Sequence, residues 1–201
     1  MDLSRSKLAE KMLLFLYSLS ENSRSVNLNT YKRYIYLYYL TSSFLSGASD
    51  NVDIAIEKGD IKIINFDSIM SDFNAKEYID IEENLISVNQ ELINLVSPLL
   101  KNESGAFYSQ YKEIQPFVNL LQSYSDQFVF TVFFSEPTFK EASLRGIKEM
   151  QSSDSRLSKL LSSFKAKLNN AAIDEYDILT YWMDYILKNY YIETGENGAE
   201  S

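Results

Sequence analysis

The stretch Tyr34-Ile-Tyr-Leu-Tyr-Tyr-Leu40 is apolar or aromatic at every position. A helix built from it has no polar face to turn toward water, so it must be enclosed on most sides. Either its own domain encloses it or a partner does. The helix is expected from about Asn29, whose side chain can cap it, through Leu45. Six glycines and three prolines in 201 residues leave few breaks, so the rest of the chain should also run in long helices. Hydrophobic residues at 45% and charged residues at 23% supply an ordinary globular core for one large domain or two small ones. Fifteen tyrosines and twelve phenylalanines fit either an aromatic core or a contact surface, since Tyr joins an apolar body to a polar tip.

The residue types that are missing narrow the chemistry. The chain has no histidine and no cysteine. Histidine is the usual general base near neutral pH and the commonest metal ligand, so triads, thiol nucleophiles and most transition-metal sites are ruled out. Carboxylate-only chemistry stays open, as a Mg²⁺ site or a glycosidase pair. The candidates for it have simpler explanations. Asp174 and Asp177 stand at a helix start, where capping accounts for them; Glu82-Glu83 lies in a turn; Asp50-Asn-Val-Asp53 lacks the glycine and closing glutamate of a calcium loop. No phosphate-binding glycine loop is present. No catalytic, cofactor-binding or metal-binding residue is therefore expected. The start Met1-Asp2-Leu3-Ser4 has no basic region followed by an apolar run, and the longest apolar block, Phe128–Phe134, is too short to span a bilayer. A soluble, cytoplasmic protein is expected.

Along the chain, Leu8, Met12, Phe15, Leu16 and Leu19 mark one buried stripe of a first helix over Leu3–Leu19, ended by the polar Ser20–Ser25. After the aromatic helix, Gly47 and Ser49-Asp-Asn51 form a stop. Val52, Ile54 and Ile56, a Lys58-Gly59 turn, and Ile61, Ile63 and Ile64 read as a short hairpin or two strand pieces. A short helix carries Ile69, Met70 and Phe73. A second hairpin turns at Glu82-Glu-Asn84 between Tyr78–Ile81 and Leu85–Val88, and a helix follows over Gln90–Leu100. Lys101–Gly105 is the candidate boundary. Beyond it, helices are expected over Ala106–Tyr124 with a kink at Pro116, from Pro137 to about Met150, over Ser153–Leu168, and from Asp174 onward. The run Gln127–Phe134 is open between helix and strand. Leu157, Leu160, Leu161, Phe164 and Leu168 make Ser153–Leu168 amphipathic. The reading is mainly α (α+β): a winged-helix-like domain over 1–101, an all-helical domain over 106–192 and a disordered tail over 193–201.

Winged helices often bind DNA, and charge tests whether this one would. Residues 48–91 hold eleven acids against three bases, Lys58, Lys62 and Lys76, nearly the whole chain's net charge of −9. The helix near 67–76 and the tip at Glu82-Glu83 would meet phosphate with like charge. Protein docking is the better expectation, with Asp80, Glu82 and Glu83, and Tyr34 and Tyr38 if the aromatic helix is not core, as interface candidates. Between Lys140 and Lys167 the balance reverses, with seven bases against three acids. That span is either a solvated helix face or a patch for nucleic acid or an acidic partner, through Arg145, Lys148, Arg156 and Lys159. Two rival readings follow: a DNA-binding regulator using residues 140–167, and a carboxylate-dependent enzyme or toxin.

An acidic winged-helix-like half joined to a helical half, with Lys11-Met-Leu-Leu-Phe-Leu-Tyr17 followed by the aromatic Tyr31–Tyr39, resembles a known family. It is similar to the small middle components of bacterial ABC-three-component defence systems, such as the accessory subunit of Lamassu-type antiphage systems. The resemblance covers most of residues 3–100 and contains no diagnostic motif, so no family residue is carried over. It implies an SMC-like coiled-coil ATPase and a separate effector, often a nuclease, as partners. The small subunit would bridge or regulate them and contribute no catalytic residue.

Overall fold

Asn27 starts the aromatic helix, two residues before the expected cap, because its side chain accepts from the backbone N–H groups of Asn29 and Thr30. In the computed structural model, which describes residues 3–22, 25–47, 51–57, 60–168 and 173–196, this helix is α2. The element order is α1 (Leu3–Asn22), β1 (Ser25–Asn27), α2 (Leu28–Leu45), β2 (Asp53–Glu57), β3 (Asp60–Ile63), α3 (Phe66–Ala75), β4 (Ile79–Glu82), β5 (Leu85–Val88), α4 (Gln90–Leu100), α5 (Ala106–Gln122), α6 (Asp126–Ser135), α7 (Pro137–Arg145), β6 (Glu149–Gln151), a 3-10 turn (Ser152–Asp154), α8 (Arg156–Leu168) and α9 (Glu175–Glu196). The fold is mainly helical with two three-stranded antiparallel sheets.

Every residue of α2 from Tyr34 to Ser42 is buried. The sheath comes from both halves of the chain: Phe15 of α1 packs on Tyr38, α8 and α6 lie along α2, and α5 and α9 also pack on it. At α8 the approach is made through hydroxyls. Ser155 Oγ donates to the Leu40 carbonyl at 2.8 Å and Ser158 Oγ donates to the same oxygen at 2.6 Å. Small side chains let the two helices come close, and the carbonyl accepts partners that a purely apolar contact would not supply.

The order α1, β1, α2, α3, β4, β5 with sheet order β1-β5-β4 is that of a winged helix, with the β2–β3 hairpin inserted between its second and third helices. The first wing strand, β1, falls where the sequence reads as a polar helix terminator. Its pairing with β5, Val26 opposite Ile86, supplies the structure that local composition did not signal. Other expectations shift in the same way. Gln127–Phe134 is helical, capped by the Ser125 hydroxyl accepting from the Phe128 N–H. Pro137 begins α7 as expected, but Gly146 (φ 64) ends it. Residues expected to continue that helix to Met150 instead form β6.

β6 pairs antiparallel with β2, Ile54 opposite Met150, so a strand from the second half completes a sheet begun in the first. Buried residues from Leu8 to Met183 form one hydrophobic cluster. The expected boundary at Lys101–Gly105 falls at a turn, and elements of both 1–101 and 106–192 contribute buried residues to that cluster and pack on α2. The expected tail is helical as far as Glu196, and residues 197–201, like the Lys58-Gly59 turn, lie outside the described residues.

Tyr38 is 2% exposed and its ring meets Phe15 and Phe117 edge to face, at 5.2 and 5.5 Å between centroids. Tyr38→Ala is expected to cost about 3–5 kcal/mol, as for large-to-small aromatic changes in cores. The check is the urea midpoint at unchanged slope.

Candidate interaction surfaces

The wing is shaped by alternation. Ile79 and Ile86 point inward and are fully buried, while Asp80, Glu82 and Glu83 are exposed. Glu82 pairs with Leu85 across a two-residue turn, Glu83-Asn84, in which both residues have positive φ, 47° and 70°. That is the geometry of a type I′ hairpin turn. It places Glu83 in a backbone region that non-glycine residues seldom occupy. α3, the helix a DNA-reading winged helix would lay in the groove, buries Phe66, Ile69, Met70 and Phe73 and exposes Asp67 and Asp72. Arg5 on α1 pairs with Asp72 at 2.6 Å. The structure therefore brings the wing carboxylates together at one hairpin tip and keeps them in water.

Tyr34 and Tyr38 do not belong to that surface. They are 3% and 2% exposed. Burial holds the Tyr34 phenol well above its ordinary pKa, and the Lys11 ammonium donates to Tyr38 Oη at 3.3 Å. Their assignment to an interface is corrected: the chain's own helices cover them.

The four basic candidates split. Arg145 and Arg156 converge on one carboxylate, Glu141, with Arg145 at 2.9 Å. A nucleic-acid phosphate would have to compete with that carboxylate for both guanidinium groups. Lys148 and Lys159 stand exposed on different elements, the approach to β6 and α8.

The carboxylates take structural roles. Asp174 and Asp177 cap α9 reciprocally, each side chain accepting from the other's backbone N–H. Glu136 is fully buried where α6 passes into α7. It accepts from Tyr36 Oη at 2.6 Å, from the Thr138 N–H at 2.7 Å and from the Phe139 N–H. Burial raises its pKa, and those three donors oppose the rise without cancelling it. An open recess of about 500 Å³ beside β2 and β6 includes Asp53, Glu149 and Asp154 in its lining. Among the described residues no group of three or more acids is arranged to hold a metal ion.

A further surface was not separated from the core in the sequence reading. On α8, Leu157 and Leu161 are fully buried, but Leu160, Phe164 and Leu168 are 44%, 41% and 39% exposed. Helical spacing carries no signal for it, because the five large apolar residues span about 100°, the width of an ordinary core-facing stripe. On α9, Tyr181 and Tyr185 are exposed as well. No described helix is long and apolar enough to cross a membrane. No protein-family model matches the chain, nor does any curated protein or solved structure.

Because the folded Glu136 carboxyl binds its proton more tightly than the unfolded one, its contribution is fully present below the unfolded value and declines as pH rises through the folded value. Stability should therefore fall across the window just above 4.5, the ordinary value for Glu. Glu136→Gln is expected to remove that component. Urea midpoints of both proteins across roughly pH 4–8 isolate it as a difference in slope.

Proposed function

We propose that this chain is a non-catalytic bridging subunit that docks on protein partners, in a cytoplasmic complex built around an SMC-like ATPase and a separate effector nuclease. The observation that carries the docking reading is the sign of the charge on the winged-helix elements. The exposed charged residues of α3 and of the wing tip, Asp67, Asp72, Glu82 and Glu83, are all carboxylates, with Asp72 paired to Arg5. Such a surface repels the phosphate backbone and suits the basic rim of a protein interface, where opposite charges set register and speed encounter. The absence of His and Cys from the sequence leaves few residue types for catalysis. The identity of the partners rests on the resemblance of residues 3–100 to the middle components of ABC-three-component defence systems, and antiphage defence is proposed on that ground.

Copurification of the tagged chain with its native operon tests the proposal. The ATPase and the effector are expected to elute with it, and Glu82→Lys with Glu83→Lys is expected to reduce their recovery while leaving thermal stability within about 0.5 kcal/mol of the parent. A monodisperse monomer that carries no ATPase would contradict the proposal. Tight, steeply salt-dependent duplex binding in a mobility-shift assay would favour instead the regulator reading through Lys148 and Lys159.

A further inference from the structure

α8 presents two apolar rows, and among the described residues only one of them is fully buried. Leu157 and Leu161 face inward and are fully buried, and the Ser158 hydroxyl is bonded to the Leu40 carbonyl. These contacts hold the helix against α2. The Lys165–Glu175 ion pair ties its far end to α9. Leu160, Phe164 and Leu168 follow one another at four-residue steps along the flank of that buried face, 39–44% exposed and about 12 Å from first to last along the helix. Single exposed apolar residues are normal, but three large ones in one row on an anchored helix form a ready-made contact surface. Phe130 shows the contrast: it is 40% exposed, and the Arg33 guanidinium lies over its ring at 4.7 Å.

The margin of the row is basic. Helical spacing puts Arg156 one step before Leu160 in the same row, and Lys159, Ser163 and Lys167 in the row beside it. Arg156, Lys159 and Lys167 are exposed, and Arg156 also reaches Glu141. The side chains between them on the outer surface, Ser162, Ser163 and Ala166, are small and exposed. An apolar row with a cationic margin complements one kind of surface best: a helix with an apolar stripe and acidic flanks, laid along α8. A nucleic acid would leave the apolar row unsatisfied.

We propose that the exposed flank of α8, Leu160, Phe164 and Leu168 edged by Lys159 and Lys167, is the docking site for an acidic amphipathic helix of a partner protein. The site deepens the bridging reading and rests on it. It gives the chain a basic-rimmed apolar face in addition to the acidic wing, so two partners of different charge would have separate seats.

The probe is a fluorescent synthetic peptide with leucine at heptad-like positions and glutamate elsewhere, titrated against the full chain. A second peptide of the same pattern has lysine in place of glutamate. The glutamate peptide is expected to bind and the lysine peptide not. Leu160→Ser with Phe164→Ser should weaken binding by about tenfold or more, as for a contact centre. Lys159→Glu with Lys167→Glu should weaken it and flatten its salt dependence. Thermal unfolding of each variant confirms that the fold is retained, and Glu82→Lys with Glu83→Lys should leave peptide binding unchanged. Equal binding of the two peptides, or binding indifferent to the α8 substitutions, would overturn the proposal. So would α8-dependent self-association of the chain or α8-dependent binding to phosphatidylserine vesicles, which assign the face to a second copy or to a lipid surface. Copurification separates this inference from the bridging reading. Partners recovered equally by the parent chain and the α8 variants overturn the docking site alone, and no partner recovered by the parent overturns the bridging reading.

Discussion

The enclosure of α2 is the constraint on which the rest of the structure depends. A helix buried at every position from Tyr34 to Ser42 needs neighbours all round, and no single layer supplies them. The chain meets the need by folding its second half back over its first: α8 and α6 lie along α2, and β6 adds a strand to β2. The tyrosines make this a specific arrangement and not merely an apolar one. A buried phenol brings a hydroxyl that needs a partner, and three on α2 find particular ones. Tyr31 Oη donates to the Met12 carbonyl at 2.8 Å, Tyr36 Oη to Glu136 at 2.6 Å, and Tyr38 Oη accepts from Lys11. Displacing α1, α2 or the start of α7 along its axis would strand one of these groups in a dry interior.

Glu136 shows how local chemistry and long-range packing are joined. The same carboxyl caps α7 and receives the Tyr36 hydroxyl from α2, so the N-terminus of one helix is built onto the middle of another. Thr138, in the first turn of α7, passes the connection on, because its hydroxyl oxygen accepts from the backbone N–H groups of Arg156 and Leu157 at the start of α8. α2, α7 and α8 are thereby held in one network of hydrogen bonds. α8 is fixed at its start by this network, and Leu160, Phe164 and Leu168 stay partly exposed along one flank.

Much of the fold was legible in the sequence because the helices are long and their inward residues recur at helical spacing. The aromatic run announced a buried helix, Pro137 announced the start of α7, and Asp174 with Asp177 announced the start of α9. β1 and β6 were not legible. Each is three residues long and is defined by its partner strand, Val26 by Ile86 and Met150 by Ile54, so no local pattern marks it. The single core was hidden for a related reason: the polar Lys101–Gly105 turn looks the same whether it links two domains or two halves of one. At the surface, the acidic wing followed directly from the alternation of Ile79, Asp80, Ile81 and Glu82. The outer row of α8 did not, because periodicity shows that Leu160 and Phe164 share a side of the helix but not whether anything covers it.

Native-state hydrogen exchange tests the central claim, that both halves of the chain close one core around α2. The account predicts that amides in α2, α1, α5 and α8 exchange most slowly and share one opening free energy, equal to that of global unfolding. Two separate groups of opening free energies, one for elements before Lys101 and one for elements after Gly105, would contradict it.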